Sequence, residues 1–350
     1  MSPWGTEWAR RWVRKAVMTF QPQARVIILL YHRVFEPPTD PQLLCVSPEH
    51  FAEHLECLRR CYRVFSLKEL SEVLREGQLP ERGVVVTFDD GYADNLYKAK
   101  PLLERYNVPA TVFVTSGYVG QEREFWWDEL DKLLLQPGTL PETVQFNISG
   151  KIHQLDLSKV AEYTEEDFEQ NCRWNVLQES APSSRQDIYR SLCHLLRPLP
   201  DEERRRALDD LLMLANASPI IRATHRILSP DEVLCLAEGE LVEVGAHGVT
   251  HAVLSTLPLA AQQKEIHGSK VRLEQILGHP ITSFSYPYGA LSDYTVETVR
   301  LVREAGFRCA CSNLAKAIRR GADIYQMPRY LVRDWDGDEF MRRLKRWFGD

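Results

Sequence analysis

Apolar and polar positions along this chain follow two rhythms. Short, almost uninterrupted apolar runs recur at Val26–Tyr31 (VIILLY), Val84–Phe88 (VVVTF), Ala110–Thr115, Leu241–Ala246, Ser283–Tyr286, Phe307–Cys311 and Tyr325–Val332. Runs this short read as strands, and continuous rather than alternating apolarity suits a parallel sheet covered on both faces. Between them lie stretches of helical spacing: Pro48–Arg60, Leu67–Arg75, Asn95–Tyr106, Leu257–Leu277, Ser292–Ala305 and Asp338–Phe348. The alternation predicts either an α/β barrel or a doubly wound sheet. In both, ligands gather at the carboxyl ends of the strands, and chemistry is sought there first.

From about Gln121 to His225 the rhythm breaks. This stretch holds FWWDELDKLLL, a hairpin pattern (TVQFNISGKIHQLDL, turning at Ser149–Gly150) and charged helical segments such as EYTEEDFEQ and DEERRRALDD. It reads as a mostly helical insertion over one mouth of a barrel, or as a separate small domain. At about 150 residues per domain, a chain of 350 suggests two domains. Setting the insertion aside leaves enough for one barrel of roughly 200–250 residues. The expected division is a basic, aromatic segment over 1–25, a barrel over 26–120 and 226–350, and a lid or subdomain over 121–225.

Composition narrows the function. A hydrophobic content of 44% excludes general disorder, and a net charge of −6 argues against the broad basic face of a dedicated nucleic-acid binder. No apolar run approaches the roughly eighteen residues of a spanning helix. The start, MSPWGTEWARRWVRKAVMTF, scatters its charges instead of placing them ahead of an apolar core, unlike a secretory signal. The expectation is a cytoplasmic enzyme. Eight dispersed cysteines without CxxC spacing read as reduced, mostly buried thiols, with Cys309 and Cys311 packing on one face of a strand. Both ends are basic and aromatic: Trp4, Trp8 and Trp12 beside Arg10, Arg11, Arg14 and Lys15, and FMRRLKRWF in the last helix. Such faces either pack on the barrel or a second copy, or lie peripherally at the inner membrane face, where a lipid-linked sugar would be met.

Two constellations carry chemistry. In VVVTFDDGYADN a buried strand ends in adjacent carboxylates, Asp89 and Asp90. Neighbours on a strand face opposite sides, so both address one site only if the chain turns there, which Gly91 permits. Paired acids at such a place are costly without a cation or a hydrogen-bond network; otherwise they are a solvated turn. In VEVGAHGVTHAVLS, His247 and His251 also follow a strand. On a helical turn i and i+4 share a face, about 5–6 Å apart at Cβ, from which two imidazoles converge on one metal. One carboxylate, two imidazoles and a spare carboxylate as base make the composition of a hydrolytic metal centre. Zn²⁺ is favoured, and the same ligands accept Co²⁺, Ni²⁺ or Mn²⁺.

With TFDDG, the HxxxH, FSYPYG and the later RDW, the chain resembles the polysaccharide deacetylases, carbohydrate esterase family 4. LLYHRV and VSPEHFAEHLECLRR resemble the branch found with polysaccharide biosynthesis enzymes. The similarity covers roughly 26–120 and 226–348. It implies a distorted (β/α)7-type barrel and metal-dependent removal of N-acetyl groups from amino sugars on a polymer, lipid or nucleotide carrier. By position it implies Asp89 as general base and Asp90, His247 and His251 as metal ligands. Pro287 and Tyr288 fall in the groove motif, where the tyrosine amide helps hold the oxyanion. Asp334 and Trp335 match a later Asp-Trp pair, the tryptophan lining the acetyl pocket.

The chain departs from that pattern in three places. Ser285 stands where the family has an arginine, leaving Arg329 or Arg333 to orient Asp89. Gly248 replaces the usual Ser or Thr after the first ligand histidine, and no C-terminal Leu-x-His supplies the general acid. His32, ending VIILLYH at the same mouth, is the replacement acid, unless it only caps its strand. His153, His194, His225, His267 and His279 read as structural. The rival functions are an amidohydrolase of the same fold acting on a non-sugar amide, and a non-catalytic carbohydrate-binding protein. The first is told apart by its substrates, the second by little metal and no acetate release.

Overall fold

A computed structural model describes residues 25–77, 79–148, 150–217 and 220–349. The Trp4, Trp8, Trp12 face lies outside them. The apolar runs form strands β1 (Arg25–Tyr31), β2 (Arg82–Phe88), β3 (Ala110–Val114), β4 (Val242–Ala246), β5 (Ser283–Ser285), β6 (Cys309–Cys311) and β7 (Tyr330–Leu331). They pair in one parallel path, β6-β5-β4-β3-β2-β1-β7, with the two-residue strand Arg63–Val64 added beside β2. Cys311 bridges to Met327 while Leu29 and Leu30 pair with Tyr330 and Leu331, so residues 327–331 join the two edges of the sheet. The result is a distorted (β/α)7-type barrel. The run Tyr325–Val332 forms only the short β7: Pro328 has no N–H for a ladder, and Tyr325 and Gln326 are bent back onto Asp323.

Helices α1 (Pro48–Cys61), α2 (Leu67–Glu76), α3 (Lys100–Tyr106), α7 (Pro230–Ala237), α8 (Leu259–Leu277), α9 (Val296–Glu304) and α10 (Gly337–Phe348) surround it. Their starts are written locally. Ser66 with Glu69 and Ser229 with Glu232 form reciprocal capping boxes, and Pro48 and Pro230 occupy the first turns. On β1 and β2, Ile27, Leu29, Tyr31, Val84, Val86 and Phe88 join the larger core beneath these helices. Val26, Ile28 and Val85 join Phe113, Cys309 and Cys311 in a second core. The period of two thus turns Val85, Thr87 and then Asp89 toward the barrel interior. Gly245 makes room there: a Cβ at this position would stand 2.4 Å from the Phe113 ring. All eight cysteines are unpaired, but only Cys45, Cys309 and Cys311 are buried, fewer than expected.

The inserted stretch carries α4 (Trp126–Leu134), the hairpin Thr143–Ile148/Lys151–Asp156, α5 (Ser184–Leu196) and α6 (Asp201–Leu214). Its apolar residues form a core of their own that takes in Tyr92, Tyr118 and Ile227 from the barrel loops. On α10, Phe340, Leu344 and Phe348 are buried in the barrel core and Trp347 stacks on Tyr330, ring centroids 4.3 Å apart. No helix among the described residues is long and apolar enough to cross a membrane.

Candidate metal centre

Register brings the strand ends together. Tyr31 pairs with Phe88 and Phe88 with Val112, so His32 and Asp89 leave adjacent strands at one level; Ala246 pairs with Val114, so His247 leaves β4 two residues further along. Asp89 follows the inward alternation of β2. Asp90 would point away, but its φ of 79°, followed by 84° at Gly91, turns it back to the same mouth. His251 (φ 56°) and Tyr288 (φ 61°) also adopt this left-handed conformation, which side chains other than glycine rarely take. The two histidines do not sit on a helical turn: residues 247–251 form an irregular loop. Glu265 fixes it by accepting from the N–H groups of Val249 and Thr250, 2.9 Å each, and from the Thr250 hydroxyl at 2.8 Å. Gly248 suits that loop, with φ 76° and Glu265 Oε2 3.2 Å from where a Cβ would be.

Donor atoms of Asp90, His247 and His251 lie within 4.8 Å of one another, all three residues buried. His247 Nδ1 donates to the Ser285 carbonyl at 2.8 Å, which leaves Nε2 free to serve as a ligand. His251 Nε2 lies 3.3 Å and His247 Nε2 3.7 Å from Asp90 Oδ1, a buried oxygen with no hydrogen-bond partner. Burial raises the Asp90 carboxyl and lowers both imidazoles, His251 to about 3 with the Arg204 charge adding to the effect. A carboxylate lacking a cation and two neutral imidazoles fit a divalent metal of the Zn²⁺ type.

Asp89 has a different environment. Arg329 grips it with both forks, Nη1 to Oδ1 at 2.8 Å and Nη2 to Oδ2 at 2.6 Å. The guanidinium is fully enclosed, donating also to Ser285 Oγ (2.8 Å), Thr87 Oγ1 (3.2 Å) and the Ser312 carbonyl (3.1 Å). Burial alone would raise Asp89; the Arg329 and His247 charges outweigh it and hold the carboxyl well below its usual range. Arg333 points elsewhere, to the carbonyls of Gln42 and Leu43. With all its donors engaged below Asp89, Arg329 does not reach the cavity as a substrate-binding group.

The cavity over these residues measures about 500 Å³, and His32, Asp89, Asp90, His247, His251 and Tyr288 all line it. His32 has an unpartnered Nδ1 and is lowered to about 4 by burial, against the pull of Asp90 and Asp89. Other expected residues are not brought to it. Asp334 accepts from the Ser47 N–H at 2.8 Å and meets His50 Nδ1 at 2.7 Å, closing the start of α1. Trp335 lies under the Arg343 guanidinium, 4.0 Å from Cζ to ring centre, and Pro287 packs toward the Gly248 loop. None of the three lines the cavity.

The insertion supplies walls that sequence reasoning missed. Trp126 and Trp127 of α4 line the cavity, with the Trp127 ring 5.1 Å from that of His251. Arg190, Cys193, His194 and Arg197 do so from α5 and its end, correcting the structural reading of His194. Buried Arg204 on α6 donates to the Thr250 carbonyl at 3.0 Å, steadying the loop that presents His251. The signal available was the FWW triplet; charges on α5 have the spacing of any solvated helix face.

The polysaccharide deacetylase family profile matches residues 76–178 and 215–310, together more than half of the chain. Over 135 residues the chain is 30% identical to YxkH of Bacillus subtilis strain 168, assigned by its name to the polysaccharide deacetylases, covering 38% of this chain and 43% of that one. It is 29% identical over 119 residues to the poly-β-1,6-N-acetyl-D-glucosamine N-deacetylase of Staphylococcus aureus strain MSSA476, 30% of this chain and 41% of that one. These matches span less than half the length of either curated relative. Among solved structures, IcaB from Ammonifex degensii superposes with a TM-score of 0.56 at 18% identity, covering 93% of this chain and 98% of that one, a likeness of fold. The barrel and the matched family profile agree, and the chain belongs to the polysaccharide deacetylase family.

Proposed function

We propose that this chain is a metal-dependent hydrolase that removes the N-acetyl group from an amino sugar and releases acetate. The observation that carries the reading is the division of labour between two adjacent acids. Asp90 is left bare beside two imidazoles, whereas Asp89 is kept ionised and pinned by Arg329. Asp90, His247 and His251 would hold a divalent ion, Zn²⁺ first among the candidates, which would supply Lewis acidity and acidify water at the site. Asp89 takes the proton of the attacking water as it adds to the acetamide carbonyl. The backbone amide of Tyr288 holds the developing oxyanion. The departing amine takes up the proton that Asp89 received, with His32 at the same mouth placed to relay it. Trp126 and Trp127 give apolar faces on which a sugar ring and its acetyl methyl can pack. The curated relative named for acting on an N-acetylglucosamine polymer supports the choice of an amino sugar.

The test couples metal analysis to acetate release from polymer-, lipid- and nucleotide-linked N-acetyl sugars. The wild type should copurify with about one divalent ion and release acetate. Asp89→Asn should lose roughly 10²–10⁴-fold in rate with its metal retained, and His247→Ala should lose both. Acetate release by His247→Ala after chelation and dialysis would show that no metal is needed.

A further inference from the structure

Helix α5 carries Arg190, His194 and, at its end, Arg197, spaced by four and three residues and therefore on one face. That face lines the cavity, and Arg333 joins it from the end of β7. The lining carboxylates are already committed. Asp89 is taken by Arg329, Asp90 belongs to the metal donors, and Asp293 accepts from Arg197 at 2.7 Å. Arg190 donates only to the Gln178 carbonyl at 2.8 Å, its Nε is buried without a partner, and its Cζ stands 5.3 Å over the Trp174 ring. Arg333 has the carbonyls of Gln42 and Leu43. The acid that acts on it from farther away, Asp40, has both oxygens on the N–H groups of Leu44 (2.9 Å) and Cys45 (2.8 Å). Two arginines therefore line this cavity, each on backbone carbonyls and with no carboxylate within ion-pair distance among the described residues.

Partly buried guanidiniums without a counter-charge are costly unless an anion completes them, and their planar forks match phosphate oxygens. At the end of the same helix, Arg197 lies 4.3 Å over the Tyr288 ring, itself 4.6 Å from the ring of His251. One side chain, Tyr288, thus separates this end of α5 from the metal donors. Moreover, α5 lies within residues 179–214, between the two segments that the family profile matches, so Arg190 and Arg197 lie outside the matched positions. A cavity of about 500 Å³ lies within the range of small-molecule sites.

We propose that the substrate is an N-acetyl sugar bearing a diphosphate, with the anion held by Arg190 and Arg333 while the acetamide reaches Asp89 and the metal donors. This rests on the deacetylase reading and names its substrate class. A nucleotide and a lipid carrier share that chemistry, and the assay separates them. Deacetylation is compared for UDP-N-acetylglucosamine, a short-chain prenyl-diphosphate N-acetylglucosamine, methyl N-acetylglucosaminide and an N-acetylhexosamine–hexuronate disaccharide. At least one diphosphate should exceed the methyl glycoside about tenfold or more in kcat/KM, the faster identifying the carrier. The double variant Arg190→Gln/Arg333→Gln should collapse that ratio, and Arg190→Lys/Arg333→Lys, which keeps the charges, should retain part of it. Equal rates for methyl glycoside and diphosphates, or a preference for the uronate, overturns the proposal. Calorimetric titration of the metal-loaded protein with inorganic pyrophosphate provides a readout independent of turnover. The Gln variant should weaken binding about tenfold or more at unchanged metal content and unchanged circular dichroism, and equal affinities overturn the proposal. Pyrophosphate still reads the anion site if no substrate releases acetate, so the two readings fail separately.

Discussion

Asp89 is held by a guanidinium 240 residues further along the chain, and its chemistry depends on that grip. Burial works to protonate this carboxyl; Arg329 keeps it ionised. Weakening the pair therefore lets the carboxyl rise, so that the carboxylate proposed as the base is lost at a higher pH as pH falls. Arg329→Lys, which has one ammonium where two forks were, should move the acid limb of the kcat/KM profile upward and lower kcat about tenfold or more, with metal content unchanged. A lower kcat with an unmoved profile would reduce Arg329 to a packing residue. Arg329→Met leaves a buried carboxylate without its cation and should cost about 3–5 kcal/mol in urea unfolding. The strand-end acids and the HxxxH spacing were legible in the sequence because each follows a plain apolar run. The partner of Asp89 was legible only as a choice between Arg329 and Arg333, because sequence spacing does not say which side chain turns inward. The match of Asp334 and Trp335 to the Asp-Trp pair was one of residue type. Their backbone runs past the cavity to close α1, which local sequence does not reveal.

Between elements, His54 joins α1 to the chain entering α10. Its Nε2 donates to the Trp335 carbonyl at 2.7 Å, Nδ1 meets the Tyr31 hydroxyl at 3.2 Å, and the ring stacks 4.0 Å from Phe340. Burial lowers it to about 4, against about 6.5 for a free imidazole. A histidine lowered on folding stabilises fully above its unfolded value and loses that contribution as pH falls from about 6.5 toward 4, on the order of 3 kcal/mol over the window. Urea unfolding at pH 7 and at pH 4.5 should show a larger acid loss for the wild type than for His54→Gln; equal losses would remove the linkage. At this scale the sequence was most informative. Apolar runs of five to seven residues and caps such as Ser66 with Glu69 are local signals, so most element boundaries lie within a few residues of their expected places. The exceptions are set by tertiary contacts: β7 shrinks around Pro328, and the two histidines sit on a loop held by Glu265 rather than on a helix.

For the whole molecule, the question is how the insertion stays seated on the barrel mouth. Arg222, where the chain returns, binds Glu124 through Nη2 at 2.7 Å and Asp131 through Nη1 at 2.6 Å, and both acids are buried. Arg222→Ala strands two carboxylates and should cost about 3–5 kcal/mol in urea unfolding; a change under 1 kcal/mol would show that the insertion's own core suffices to seat it. The stretch between β3 and β4 was legible as a break in rhythm. Its contribution to the cavity was not, since Arg190, His194 and Arg197 acquire meaning only when α5 is laid against the strand ends. The left-handed backbone at Asp90 has a further consequence. In the metal-free protein, glycine there would relieve a conformation worth about 1 kcal/mol and remove an unpaired buried carboxylate. On the proposed function, selection for thermal tolerance alone would therefore drift toward inactive survivors, and laboratory evolution of this chain would need acetate release as its filter from the first round.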